Sequence, residues 1–227
     1  MTLYQPARGE GYRVNVDAVL LASFAGRERR ARRTVDLGAG VGAVGLCLLY
    51  RDRTGHVTFV EKDRALSELC RLNLEANGWQ ASADPQCADV SDEGALPGAD
   101  ADLVVCNPPY VAAGRGRPPV VGRTARIGDL SLFTRAARRV MGPRGRASFV
   151  YPATELVTLM ETLRASGLEP KRLCFVHAER GQPARVALVE AVPGKRGGLV
   201  VAPPFIERDE HGPSTELQAV LAARGEA

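Results

Sequence analysis

Thr34-Val35-Asp36-Leu37-Gly38-Ala39-Gly40-Val41-Gly42 is an apolar run that breaks into alternating glycines, and an apolar helical pattern resumes behind it. It reads as a short strand over Thr34–Leu37, a tight turn, and a helix over Val41–Tyr50. The same alternation continues outward. Val57–Glu61 is a strand, and Lys62–Asn77 is a helix closed by Asn77-Gly78. A third strand would end near Asp89, and Ala101–Cys106 is an apolar strand that stops on Asn-Pro-Pro. Residues 111–128 carry Gly, Pro and Arg without periodicity and read as a loop. Asp129–Met141 is helical, with apolar residues at 130, 133, 137 and 140. Arg146–Tyr151 is a strand, Ala153–Ser166 a helix, and Arg172–His177 and Arg185–Val192 are strands. A tail strand at Leu199–Val201 and a helix near Ser214–Ala223 follow. Upstream, Tyr12–Val16 reads as extended and Asp17–Phe24 as a helix with Asp17 as its N-cap.

This succession predicts an α/β, doubly wound, Rossmann-like domain. Its sheet is mainly parallel and seven-stranded, with one late antiparallel strand. The expected layout is a single unit over residues 1–227. Residues 1–33 form an N-terminal arm and helix, 34–192 the core, and 193–227 a C-terminal tail. Ligands in such sheets bind at the carboxyl ends of the strands, so residues at strand ends are the candidates for function.

Composition narrows the setting. A 227-residue chain that is 45% apolar suffices for one full core. No apolar run approaches a membrane span, Ala18-Val19-Leu20-Leu21-Ala22 being typical, and the N-terminus lacks a basic-then-apolar signal pattern. The five cysteines, at 47, 70, 87, 106 and 174, form no Cys-x-x-Cys pair, which argues against a metal site or disulfide framework and for a reducing cytoplasm. The net charge of +4 comes almost wholly from arginine and permits a nucleic-acid partner without demanding one. His56, His177 and His211 are scattered and read as surface or strand residues.

The glycine turn admits two ligands. Gly40-Val41-Gly42-Ala43-Val44-Gly45 fits Gly-x-Gly-x-x-Gly with Glu61 about twenty residues on, as in dinucleotide binders. Asp36, two residues before Gly38, favours the alternative, S-adenosylmethionine. A carboxylate there suits a cationic ammonium and repels a pyrophosphate. Glu61, ending the second strand beside Lys62, can accept both hydroxyls of a ribose. Asp89 can accept a hydrogen bond from an adenine amino group.

Leu103-Val104-Val105-Cys106-Asn107-Pro108-Pro109-Tyr110 is the most specific stretch. An amino nitrogen conjugated to a base or a carbonyl is a weak, nearly neutral nucleophile, so a strong base is not what it needs. The Asn107 Oδ1 and the Pro108 carbonyl can accept its two N–H groups, stabilise charge as it develops, and fix the direction of attack. Pro109 stiffens the turn, and Tyr110 offers an aromatic face for a planar group.

With Asp36-x-Gly38-x-Gly40-x-Gly42, Glu61, Asp89 and Asn-Pro-Pro-Tyr in order, the chain resembles the class I amino-methyltransferases, and most closely the bacterial tRNA1(Val) adenine-N6 methyltransferase family. Gly11-Tyr12-Arg13-Val14-Asn15-Val16-Asp17-Ala18-Val19-Leu20-Leu21-Ala22, Tyr151-Pro152 and Pro183-Ala184-Arg185-Val186-Ala187-Leu188-Val189-Glu190 carry the likeness over nearly the whole chain. The resemblance implies S-adenosylmethionine as cofactor. It also implies that segment 12–17, with Tyr12 and above all Asp17, lines the cofactor's methionine end, and that loop 111–128 meets the substrate. Arg115, Arg117, Arg123 and Arg126 crowd that loop, Arg123 and Arg126 being the candidate phosphate contacts. Where the family often has Ala-Arg-x-Glu, this chain reads Ala125-Arg126-Ile127-Gly128, followed by Asp129. The expected reaction is methylation of an exocyclic amine, adenine N6 in tRNA, by a monomer needing neither metal nor membrane. The alternatives are a protein glutamine-N5 methyltransferase, an rRNA or DNA amino-methyltransferase, and a non-catalytic RNA-binding relative. Glutamine-N5 enzymes usually carry a helical domain ahead of the core, for which the residues before Asp36 leave no room.

Overall fold

The structure is a computed structural model, and it describes residues 1–7, 14–25, 29–109, 130–194 and 196–223. The expectations for Tyr12, Tyr110, Arg115, Arg117, Arg123 and Arg126 lie outside these residues.

Strands β1 (Thr34–Leu37), β2 (Val57–Glu61), β3 (Ala83–Cys87) and β4 (Ala101–Cys106) pair in parallel, β1 lying between β2 and β4. All four residues of β1 are buried, as a strand covered on both faces requires. β5 (Met141–Pro152) extends the parallel set beyond β4. β6 (Leu168–Glu179) and β7 (Ala184–Pro193) form an antiparallel pair, and β7 inserts between β5 and β6. The seven strands therefore run β3-β2-β1-β4-β5-β7-β6, with β7 the antiparallel one.

Helices cover both faces. α1 (Val16–Ala25), α2 (Ala43–Tyr50) and α6 (Thr215–Ala222) share one buried cluster with Val105, Val150 and Val186. α4 (Leu130–Val140) and α5 (Leu156–Ala165) cover the other face, on Val35, Val104 and Phe149. α3 (Arg64–Asn77) packs its apolar stripe, Cys70 and Leu74, against Leu46 and Phe59. Asp63 caps α3, accepting from the backbone of Ala65 and Leu66, and Gly78 ends it at φ +71°.

Several boundaries differ from the expected ones. Asp17 is not the cap of α1. It lies inside the helix, and the Asn15 side chain accepts the Asp17 N–H at 3.1 Å instead. β5 starts at Met141 rather than Arg146, because Gly142-Pro143-Arg144-Gly145 is absorbed by a register shift against Ala101–Leu103. A similar irregularity near Pro170 lengthens β6. The tail supplies more than the expected strand. β8 (Val200–Val201) pairs with the first half of β6, β9 (Phe205–Asp209) with the second, and β10 (Gly212–Pro213) closes a hairpin on β9. The tail thus covers a sheet edge that would otherwise be open.

Candidate active site

The ladder sets the site. Leu37 is level with Val60 on one side and with Cys106 on the other. One step further, Gly38, Glu61 and Asn107 stand side by side at the carboxyl ends of three adjacent strands. At the usual strand spacing they span about 10 Å. Glu61 is level with Cys87, so Asp89 follows at the next strand end. The sheet therefore brings Asp36, Gly38, Gly40, Glu61, Lys62, Asp89, Asn107 and Pro108 to one edge.

The glycines are needed here for two different reasons. Gly38, Gly40 and Gly42 all have positive φ, at +68°, +57° and +87°. Gly45, inside α2, is required by contact: an added Cβ would lie 2.3 Å from the Phe59 ring. This lets α2 lie close on β2. A Cβ at Gly40 would meet nothing within 4 Å among the described residues, so the turn leaves open space on that side.

Asp36 does more than the spacing suggests. The N-cap of α2 is Gly42, which has no side chain to cap it. The Asp36 Oδ2 fills that role, accepting the Gly45 N–H at 2.9 Å. At 1% exposure the carboxylate presents almost no surface to a ligand. Burial pushes its pKa up to about 7; the Gly45 bond works against this and the Glu61 charge adds to it.

Glu61 spans the turn. Its Oε2 accepts the Gly40 N–H and its Oε1 the Asp63 N–H, both at 2.8 Å. Each oxygen keeps a further lone pair for a hydroxyl. Burial raises its pKa, while those two bonds and the nearby Lys62 charge oppose the rise. Lys62 also acts on Asp89, whose pKa is lowered chiefly by its bonds from the Ser91 N–H and hydroxyl. Asn107 is half-buried and Pro108 buried behind it.

Asp17 lies in the first turn of α1. It is fully buried, with Oδ2 taking the Asn15 amide at 2.8 Å and Oδ1 paired with Arg185 at 2.6 Å. Arg185 also grips Glu207 of β9 through two bonds, of 3.0 and 2.7 Å. Burial works against the Arg185 charge, but the Glu207 and Asp17 carboxylates outweigh it and raise its pKa. Sequence reading missed this cluster. It also missed Asn73, a fully buried polar residue on the apolar side of α3 whose amide donates to the Val41 carbonyl of the glycine turn at 3.0 Å. A polar residue in phase with Cys70 and Leu74 was its only signal.

The donor set fits S-adenosylmethionine. Open space lies over Gly40, a carboxylate able to take a ribose stands beside it, and the α2 N-terminus already has an acceptor in Asp36. Among the described residues no group of three or more His, Cys, Asp and Glu could hold a metal ion, and no helix is long and apolar enough to cross a membrane.

Comparison with known proteins agrees with this geometry. The family model of the methyltransferase small domain matches residues 15–151. The tRNA1(Val) (adenine(37)-N6)-methyltransferase of Shewanella halifaxensis is 30% identical, over 92% of this chain and 82% of its own length. Among solved structures, a predicted O-methyltransferase of Agrobacterium tumefaciens superposes with TM-score 0.74 at 24% identity, covering 92% of this chain and 97% of that one, a likeness of fold alone. The T. thermophilus 16S rRNA N2 methyltransferase RsmC, solved with AdoMet and guanosine, is 25% identical with TM-score 0.56, over 80% of this chain and 44% of that one. The chain belongs to the methyltransferase small domain family and is an S-adenosylmethionine-dependent methyltransferase.

Proposed function

We propose that the chain methylates the exocyclic N6 of an adenine in a structured tRNA, acting as a single methyltransferase unit. The observation that carries this reading is Asn107-Pro108 at the end of β4, level with Gly38 and Glu61. A planar amine held by Asn107 would stand one strand from the cofactor's place. The relatives' name supplies the substrate class.

In this reading Glu61 and Asp89 hold the cofactor's adenosine end, with Lys62 beside them. Asp36 and Asp17 work from behind the surface. Asp36 fixes the turn and α2, and Asp17 fixes the start of α1 through Arg185. The cofactor supplies an electrophilic methyl group on a sulfonium. The Asn107 Oδ1 and the Pro108 carbonyl accept hydrogen bonds from the amine's two N–H groups and orient its lone pair. Tyr110 stacks on the base, while Arg123 and Arg126 meet phosphates. A base already splayed from its stack suits a small enzyme, since unstacking costs a few kcal/mol.

Tritium transfer from labelled cofactor into separated tRNA, rRNA, DNA and protein fractions tests the proposal. Label in tRNA, recovered as N6-methyladenosine, is expected. Label in a protein glutamine would replace the RNA reading with the amide one.

A further inference from the structure

Two asparagines on α3 grip the N-terminal arm. The Asn73 Oδ1 accepts the Tyr4 N–H at 2.5 Å, and its Nδ2 donates to the Tyr4 carbonyl at 2.9 Å. One helical turn later Asn77 repeats the pattern on Thr2, accepting at 2.8 Å and donating at 2.7 Å. The spacing explains the match. Four helical residues rise about 6 Å, and two extended residues about 6.6 Å, so alternate arm residues meet successive turns. Leu3, between them, packs on the same cluster as Ala39 of the glycine turn. The Gln5 side chain then accepts the Val14 N–H at 3.1 Å, carrying the arm to the start of α1.

Asn73 has one amide proton left after Tyr4, and it goes to the Val41 carbonyl at 3.0 Å. With no exposed surface, the carboxamide has its oxygen and both N–H groups engaged, divided between the arm and the turn. A buried amide satisfied in this way has one orientation, and losing either partner leaves polar groups unpaired.

We infer that Asn73 is a positioning residue for the cofactor site, and that it makes residues 1–7 part of that site. Docking of the arm holds the Asn73 amide in the pose that fixes Val41, and Val41 sets the path of the Gly40 and Gly42 backbone. The inference rests on the reading that Gly40 and Glu61 border the cofactor.

The test is a double-mutant cycle on the full-length chain. Tyr4→Pro removes the arm's donor without touching α3, and Asn73→Ala removes both links. Asn73→Asp keeps the acceptor for Tyr4 and loses both donors, and it serves if Asn73→Ala unfolds. Calorimetry with S-adenosylmethionine should show binding weakened about tenfold or more in each single variant. The double variant should be no weaker than Asn73→Ala alone within about twofold. KM for the methyl acceptor should stay unchanged. In the cofactor-free protein, amide exchange over residues 40–46 should speed up in each variant. Wild-type affinity in Tyr4→Pro, or effects that simply multiply in the double variant, would overturn the inference. Glu61→Gln separates the two levels. If it leaves cofactor affinity intact, the site itself is misplaced and the inference falls with it. If it weakens binding while the Tyr4 and Asn73 variants do not, only the inference falls.

Discussion

Replacing Asp36 with asparagine removes one buried charge and leaves an acceptor for the Gly45 N–H. The consequence depends on pH. The native carboxyl has a pKa near 7, against 3.8 for the free side chain. An acid with a raised native pKa holds its proton more tightly when folded. Between those values the native state therefore binds more protons than the unfolded chain, and stability falls as pH rises. The loss begins near pH 4 and is complete a little above pH 7. Fully ionised, the group costs the native state about 4 kcal/mol, of which about 2.5 kcal/mol accrues between pH 5 and pH 8. Asp36→Asn should escape this loss. Urea unfolding of the cofactor-free wild type and the variant at pH 5, 6, 7 and 8 measures it directly. The variant should gain on the wild type by about 2.5 kcal/mol across that range, whatever fixed penalty the substitution carries. A difference that stays flat with pH would show that Asp36 ionises normally, and the claim that burial sets its state would be wrong.

Four other outcomes are expected. Asn107→Ala should lower kcat about 100-fold or more while cofactor affinity stays within a few-fold, since its acceptor acts mainly as charge develops on the amine; near-normal turnover refutes that role. Glu61→Gln should weaken cofactor binding by roughly 1.5–3 kcal/mol in a calorimetric titration, and unchanged binding removes the ribose assignment. Gly45→Ala should destabilise the fold by about 1–3 kcal/mol in urea, because the new methyl meets the Phe59 ring. Binding to tRNA should weaken steeply with salt, and replacing Arg123 and Arg126 should flatten the log–log slope by about 0.7 for each phosphate no longer neutralised; a salt-insensitive complex argues against the arginine loop as the phosphate-binding element.

What could be read from the sequence was whatever interrupts a local pattern. Glycines end the apolar run at Leu37, and Asn107-Pro108 ends the one at Cys106. β1, β2 and β4 accordingly have the boundaries that the sequence predicts. β9 could not be read this way. Phe-Ile-Glu-Arg-Asp has no alternation, and its buried Glu207 is paired with Arg185 of β7. The arm on α3 is equally silent, since its bonds join residues 69 to 75 positions apart. A strand end identifies which carboxylate is near the cleft but not what its oxygens do, and this matters most for the glycine motif. Spacing alone suggests that Asp36 faces a ligand cation and Glu61 a ribose. In the structure Asp36 first caps a helix whose own cap is a glycine, and Glu61 first ties Gly40 to the start of α3. Both acts oppose the same difficulty. Three residues at positive φ would leave the turn loose and the α2 N-terminus without a side-chain cap unless fixed from outside. The carboxylates that suit a methyl-donor cofactor are therefore also what keeps its glycine turn in shape. Their replacement should disturb binding through the backbone as well as through any direct contact.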